Sequence, residues 1–125
     1  ESQESSVEIV DIPVDVFSEL LRFIYTGTVK NLDQYALELM QAADKYQLEH
    51  LKSKCEHSLS ESLTIESVSS VLLLADMHSS PRLKSSCIEF ITSHSTQVMA
   101  TEGWKELTQE MMNDLFRKLA LTNKQ

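Results

Sequence analysis

A frame of about fifteen residues occurs twice in this chain and constrains its fold more than any other feature. The stretch "AADKYQLEHLKSKCE" runs from Ala42 to Glu56, and "LADMHSSPRLKSSCIE" runs from Leu74 to Glu89. Both copies hold an alanine, an aspartate, a leucine, a lysine and a cysteine at one offset, 75 − 43 = 32: Ala43, Asp44, Leu51, Lys52 and Cys55 correspond to Ala75, Asp76, Leu83, Lys84 and Cys87. Such a frame fits a metal site, a pair of reactive thiols or a structural repeat.

The structural repeat explains the spacing best. Each copy spans the end of one predicted helix, a short corner at "DKYQ" or "DMHSS", and the start of the next helix. The alanine lies where the first helix packs closely, and the aspartate lies near the corner. The leucine and the cysteine, four residues apart, share the buried stripe of the second helix. Each copy is therefore predicted to be a helical hairpin, and two such hairpins are expected to stack in similar orientation.

The chemical alternatives have less support. Cys55 and His57 form a C-x-H pair, and Cys87, His78 and His94 are further possible ligands, but no C-x-x-C or H-x-x-x-H pair occurs. Cysteines on an apolar helical stripe are usually small core residues. The two glycines are not in a phosphate-binding pattern. The carboxylates have the spacing of a helix surface and do not form a buried pair that could act in acid-base catalysis. We expect no metal, no cofactor and no enzymatic activity.

Composition and charge narrow the class of partner. The chain has 125 residues, 42% hydrophobic and 24% charged, with two glycines and two prolines, which is typical of a mostly helical globular chain. No apolar run approaches the roughly 20 residues that span a bilayer, and no signal peptide opens the chain, so we expect no membrane partner and a nuclear or cytoplasmic location. Two cysteines in such a chain are expected to be reduced.

The acidic residues are concentrated in the first half. Residues 1–66 hold thirteen Asp or Glu and five Lys or Arg, a net of 5 − 13 = −8, whereas residues 67–125 hold six of each. Because this charge repels phosphate backbones, nucleic-acid binding is not expected. A basic protein partner is compatible with it, and so is an acidic surface that only keeps the protein soluble.

The predicted fold is mainly α, with one short strand at the start and then helices. The strand is "VEIVDI", rich in β-branched residues, preceded by a polar loop. A lone strand needs neighbours, so we expect the chain to be the C-terminal part of a larger α/β domain or to pair with another chain. The predicted helices run from Pro13 to Gly27 with Phe17, Leu20, Leu21 and Ile24 on one face, from about Asn31 to Ala43, from Leu48 to Leu59, from a cap at Thr64 to Ala75, from Ser80 and Pro81 to Ile91, and from Gln109 to Leu121.

Four stretches together resemble a known family. They are "VEIVDIPVDVFSELLRFIYTGTV", "LMQAADKYQLEHLKSKCEHSL", "VLLLADMHS" and "GWKEL". From Val7 to about Leu121 the chain resembles the second half of a BTB (POZ) domain and the helical segment that follows it, in particular that of speckle-type POZ (MATH-BTB) proteins. The resemblance implies that residues 1–62 are the C-terminal part of a BTB/POZ domain. Residues 63–125 would then be a helical cullin-binding box and the start of a BACK-like extension.

The resemblance implies an adaptor. Proteins of this type bind the N-terminal domain of cullin-3, carry a protein substrate on another domain, and usually self-associate. In this case the substrate-binding domain would be one that is not present in the chain. The expected homo-oligomer would serve a cullin-3 RING ubiquitin ligase without catalysing the transfer. One alternative is a BTB self-association scaffold or transcriptional co-regulator without a ligase role; the helices from Ile65 onward argue against it, because many such regulators lack them. The other alternative is an unrelated helical-repeat scaffold, which leaves "VEIVDI" unexplained.

The family's cullin contacts map onto two corners of this chain. The resemblance places them before Val7, at "ADKY", and in the paired helices between Ile65 and His94. The residues implied are Asp44, Tyr46, Gln47, His50, Met77 and His78. Tyr46 suits a binding anchor because its ring is large and amphipathic; the alternative is a tyrosine packed on its own hairpin.

Self-association is expected from the last stretch. "MMNDLFRKLALTNKQ" resembles a short helical extension that mediates a second self-association in speckle-type proteins, with Met111, Leu115 and Phe116 implied. Alternatively these three residues pack back on Trp104. The family's main dimer interface and a hydrophobic-x-Glu cullin contact belong to segments without a counterpart before Glu1. We therefore expect the apolar face of "VFSELLRFIY" to be uncovered.

Overall fold

The computed structural model describes residues 12–107 and 109–123. These residues form helices joined by short turns and, within those two ranges, no strand, which confirms the predicted mainly α class. The predicted strand lies outside the described residues except for Ile12, which forms a bend, and the predicted loop before it lies outside them too. No helix in the described part is long and apolar enough to cross a membrane.

Seven α-helices and one 3-10 helix are described, and the chain divides into two compact units between Ser58 and Leu59. We call residues up to Ser58 the first unit and those from Leu59 the second unit. The α-helices are α1 (Val14–Thr26), α2 (Leu32–Lys45), α3 (Glu49–Glu61), α4 (Val68–Met77), α5 (Pro81–Ser93), α6 (Ser95–Met99) and α7 (Gln109–Asn123), and the 3-10 helix is Gly103–Glu106.

Helix α1 begins and ends at the predicted residues and buries only part of its apolar face. It starts after Pro13 and stops at Gly27, whose φ of +78° is the left-handed conformation that glycine adopts without strain. The buried residues are Val16, Glu19 and Leu20. Of the face predicted for this helix, Leu20 is buried and Phe17 is half-buried, whereas Leu21 and Ile24 are exposed. The exposure of Leu21 and Ile24 agrees with the expectation that the apolar face of "VFSELLRFIY" is uncovered, whereas apolar spacing did not reveal Glu19 as an inward residue.

Glu19 is buried because it organises the turn that follows α1. Its Oε1 accepts a hydrogen bond from the Lys30 backbone N–H at 3.0 Å, and its Oε2 accepts one from the Asn31 side-chain amide at 3.0 Å. Burial acts to raise the pKa of Glu19, but these hydrogen bonds, helped by nearby Arg22, outweigh it and leave the pKa below its ordinary value. A charged carboxylate thus links the end of α1 to the start of α2.

The cores of both units contain the residues that define the repeated frame. In the first unit, Ala43 of α2 and Leu51 and Cys55 of α3 are fully buried, and in the second unit Ala75, Leu83 and Cys87 are at most 1% exposed. Both hairpins and the core role of both cysteines are therefore confirmed. Burial raises the pKa of each thiol to about 12, with Glu56 adding to the shift at Cys55, so both sulfurs stay protonated near neutrality.

The second unit departs from the predicted helices at three places. Helix α4 begins at Val68, three residues after the predicted start, and the turn before it has the hydrogen bonds of a capping box: the side-chain oxygens of Thr64 and Ser67 each accept the other's backbone N–H at 3.0 Å. The Val68 N–H donates to the Thr64 carbonyl at 3.0 Å, so Thr64 has the bonds of the predicted N-cap. The short helix α6 and the 3-10 helix were not predicted. Gly103 begins the 3-10 helix and lies close to Ser69 of α4, since a Cβ added to Gly103 would be 3.4 Å from the Ser69 Cβ.

Candidate functional site

The corner between α2 and α3, which we call the first corner (residues 44–50), has a defined backbone geometry. The N–H of Leu48 donates to the carbonyl of Ala43 at 2.8 Å, and the N–H of Gln47 donates to that of Asp44 at 3.3 Å. Gln47 has a φ of +58°. These two bonds around a left-handed residue are the Schellman arrangement that ends many helices, usually with glycine in that place.

The corner between α4 and α5, which we call the second corner (residues 76–82), repeats this geometry thirty-two residues later. The N–H of Ser80 donates to the carbonyl of Ala75 at 2.8 Å, and the N–H of Ser79 donates to that of Asp76 at 3.4 Å. Ser79 has a φ of +53° and occupies the position of Gln47. The duplicated sequence thus encodes the same turn twice, including a strained residue at the same position.

An ion pair spans each corner. In the first corner, Lys52 Nζ lies 2.8 Å from Asp44 Oδ1, and in the second, Lys84 Nζ lies 3.0 Å from Asp76 Oδ1. The first pair is the more buried, since the lysine side chain is 9% exposed there and 27% exposed in the second. Each pair ties the last turn of one helix to the first turns of the next, which holds the exposed residues between them in place.

The two corners present different side chains on the same backbone. Tyr46 ends α2 with 41% of its surface exposed, and Lys45 Nζ lies 5.9 Å from its ring centroid. At the corresponding positions of the second corner, Met77 is 72% exposed and His78 is half-buried. The first corner therefore offers an aromatic ring beside a cation, and the second offers a flexible thioether.

The structure brings four of the predicted cullin-contact residues together and places the other two in the second corner. Asp44, Tyr46, Gln47 and His50 lie within the first corner, where Gln47 and His50 are exposed and Asp44 is half-buried in its ion pair. Met77 and His78 are neighbours at the end of α4. The predicted contact before Val7 lies outside the described residues. The part these six residues have in binding a partner stays a prediction.

The residues predicted for self-association separate into buried and exposed ones. Met111 and Leu115 are 3% and 0% exposed, whereas Phe116 is 51% exposed. Helix α7 packs against α5. Phe116 is thus the accessible member of the three, and self-association through it stays a prediction.

Two features of the first corner were missed from the sequence. Phe23 of α1 places its ring centroid 6.1 Å from that of His50, so α1 contributes to this surface. No local sequence pattern predicts this contact, because the two residues are 27 positions apart in the chain. The second missed feature is the ion pair, which the sequence could have predicted, since an Asp and a Lys are eight residues apart in both copies of the frame.

The exposed side chains at the corners are of types that are common in protein interfaces. Among the described residues no group of three or more His, Cys, Asp or Glu side chains could hold a metal ion. Both thiols are buried and protonated. What the corners offer instead is an exposed tyrosine and an exposed methionine on rigid turns, flanked by charged groups, and such residues suit a protein interface.

Two family models match the chain. Residues 1–63, half of the chain, match the model of the BTB/POZ domain. Residues 67–114 match the model of the BPM/SPOP, BACK domain. The first corner lies in the first matched region and the second corner in the second.

Proposed function

We propose that this chain, which belongs to the BTB/POZ family, acts as a substrate-recruiting adaptor of a cullin-3 RING ubiquitin ligase. In this role it binds the N-terminal domain of cullin-3 through the two corners and self-associates, while a domain outside the chain holds the protein substrate. Domains of the two matched families typically act as non-catalytic adaptors. The BACK domain of the BPM/SPOP type directly after the BTB/POZ match favours this role over that of a scaffold without a ligase.

The observation that carries the proposal is the exposed Tyr46 on a rigid corner. A residue that anchors a partner must be accessible and must lose little conformational freedom on binding. Tyr46 meets both conditions, since 41% of its surface is exposed and the Asp44–Lys52 pair and the Schellman bonds fix its backbone. Its hydroxyl and ring suit an interface that is apolar at its centre and hydrated at its rim.

Calorimetric titration of the chain with the cullin-3 N-terminal domain tests the proposal. We expect Tyr46→Ala to weaken binding by about tenfold or more, because a tenfold loss corresponds to about 1.4 kcal/mol and truncating a hot-spot residue costs about 2 kcal/mol or more. The melting temperature should change little because the ring is partly exposed. Met99→Ala is the control, since it removes a similarly exposed large apolar side chain from α6, a helix with no proposed binding role.

Three results would count against this assignment. Unchanged cullin affinity in Tyr46→Ala would remove the corner from the interface. A large fall in melting temperature in the same variant would instead indicate a tyrosine that packs on its own hairpin. No measurable binding by the parent chain, beside binding by a longer chain with a complete BTB domain, would locate the essential contacts outside these residues.

A further inference from the structure

A groove opens at the C-terminal ends of α3 and α5, away from both corners. Its volume is about 320 Å³, and its walls come from the second unit. Ser60 and Leu63 form one side, and α5 supplies the other through residues spaced three or four apart, which share one helix face: Ser86, Glu89, Phe90 and Ser93, followed by His94. Three hydroxyls, a carboxylate and two rings therefore face one small space.

The charged side chains that line this groove favour a cation. Helix C-termini carry a partial negative charge of roughly half an elementary charge from their last carbonyl groups. Both α3 and α5 end here, and neither has a basic residue in its described last turn. The lining residues include the exposed carboxylate of Glu89 but no lysine or arginine. The groove is thus a place where negative charge converges without a cation from its own lining.

The two rings give the groove a flat face. Phe90 and His94 stack with centroids 4.3 Å apart at an angle of 23°. His94 Nδ1 lies 3.0 Å from the carbonyl oxygen of Phe90, and because a carbonyl accepts, this nitrogen donates. That hydrogen bond fixes the imidazole orientation, so the stacked pair is held in place before any ligand arrives.

We propose that this groove binds an arginine side chain of a basic peptide segment in a partner protein. A guanidinium is planar, stacks on aromatic faces, and donates two parallel hydrogen bonds to a carboxylate, which matches the Phe90–His94 pair beside Glu89. The hydroxyls of Ser86 and Ser93 provide acceptors for its remaining N–H groups. Residues 59–125, which include the groove, hold eight Asp or Glu and six Lys or Arg, a net of 6 − 8 = −2, so their charge does not repel a basic segment.

The groove is separate from the two corners that we propose as the cullin-binding residues. The second corner precedes α5, whereas the groove occupies its C-terminal half, and Ser93 lies about 18 Å along the helix axis from Pro81 at the usual rise per residue. A partner at the corner and a basic segment in the groove would use separate surfaces of this helix.

The test is an NMR titration of the full 125-residue chain with acetyl-Gly-Arg-Gly-amide, with the citrulline peptide as a neutral isostere. We expect saturable shifts at the backbone amides of Ser86, Glu89 and Ser93, and binding of the citrulline peptide that is about tenfold weaker or absent. Glu89→Gln should weaken arginine binding about fivefold. Glu106→Gln, which removes an exposed carboxylate outside the groove, should leave it within about twofold.

Three results would overturn the proposal. They are equal affinity for the arginine and citrulline peptides, shifts located outside the groove, and equal weakening by Glu106→Gln and Glu89→Gln. Since the titration contains no cullin, its failure leaves the adaptor proposal untouched, and failure of cullin binding leaves this site untouched.

Discussion

Gln47 has a backbone conformation that residues with a Cβ rarely adopt, with a φ of +58°. Ser79 has the same conformation at the corresponding position. Two non-glycine residues at the most strained position of the two corners indicate that the surrounding hydrogen bonds, rather than local preference, hold the turn. Strain of this kind persists where the neighbouring structure determines the backbone, as the buried alanine and the ion pair do here.

Replacing Gln47 by glycine should therefore stabilise the chain. We expect Gln47→Gly to raise the free energy of unfolding by about 0.5–1 kcal/mol, since glycine adopts this φ without a steric cost. Urea unfolding followed by circular dichroism measures the change. Lys54→Gly is the control, because the same substitution at an exposed position inside α3 should lower stability by about 1 kcal/mol. A destabilised Gln47→Gly variant would mean that the glutamine side chain itself supports the corner.

Glu19 gives a pH-dependent prediction. Its pKa is lower in the folded chain than its ordinary value of 4.5, so its contribution to stability is present above about pH 4.5 and is lost as pH falls through the folded pKa. We expect Glu19→Gln to destabilise the chain by about 2 kcal/mol at pH 7, because the amide group cannot accept both hydrogen bonds. The difference from the parent should shrink at pH 3, and urea titrations at both pH values measure it. A constant difference would assign the loss to packing.

At the scale of elements, the two hairpins have the same backbone geometry at their corners but differ in how deeply their ion pairs are buried. Lys52 is buried, whereas Lys84 is half-buried beside the exposed Asp76. Removing one partner of a buried pair leaves the other charge poorly solvated, whereas the same change near the surface costs little. Otherwise equivalent lysines should therefore differ in their contribution to stability.

This difference is measurable with one substitution made twice. We expect Lys52→Met to lower the free energy of unfolding by about 2 kcal/mol or more, and Lys84→Met to lower it by less than about 1 kcal/mol. Each variant serves as the other's control, because methionine keeps the apolar stem in both. Thermal unfolding by calorimetry measures both changes. Equal losses would show that burial does not set the value of these pairs.

At the scale of the whole molecule, several large apolar side chains face outward. On α1 Val14, Ile24 and Tyr25 are 82%, 55% and 83% exposed, and on α7 Phe116 is 51% exposed. Exposed apolar side chains grouped on one element are typical of surfaces that another protein covers. Self-association through Phe116 is consistent with this exposure and with the predicted role of its stretch of sequence.

Sedimentation velocity tests that role. We expect Phe116→Ser to lower the weight-average mass of the chain at a concentration where the parent self-associates, with stability changed by about 0.5 kcal/mol or less. Met99→Ser is the matched control, since Met99 is a 45% exposed apolar residue on α6 of the same unit. A mass that does not change in Phe116→Ser, or that falls equally in both variants, would contradict a role for α7.

The sequence by itself determined the local structure of this protein. The repeated frame predicted both hairpins, both cysteines as core residues and the positions of the corners, because helical periodicity and the alanine, leucine and cysteine spacing are local properties. Pro13, Gly27 and Pro81 predicted helix ends correctly for the same reason. The family resemblance rested on these same local stretches, and the BTB/POZ match agrees with it.

The tertiary structure alone decided which side of α1 is buried, where Phe23 meets His50, and how the residues of the last stretch divide. Glu19 faces inward because its partners, Lys30 and Asn31, lie beyond the end of its own helix. Met111 and Leu115 are buried while Phe116 is exposed because α7 packs against α5. Each outcome depends on contacts between residues distant in sequence, and periodicity along one helix contains no information about which neighbour covers it.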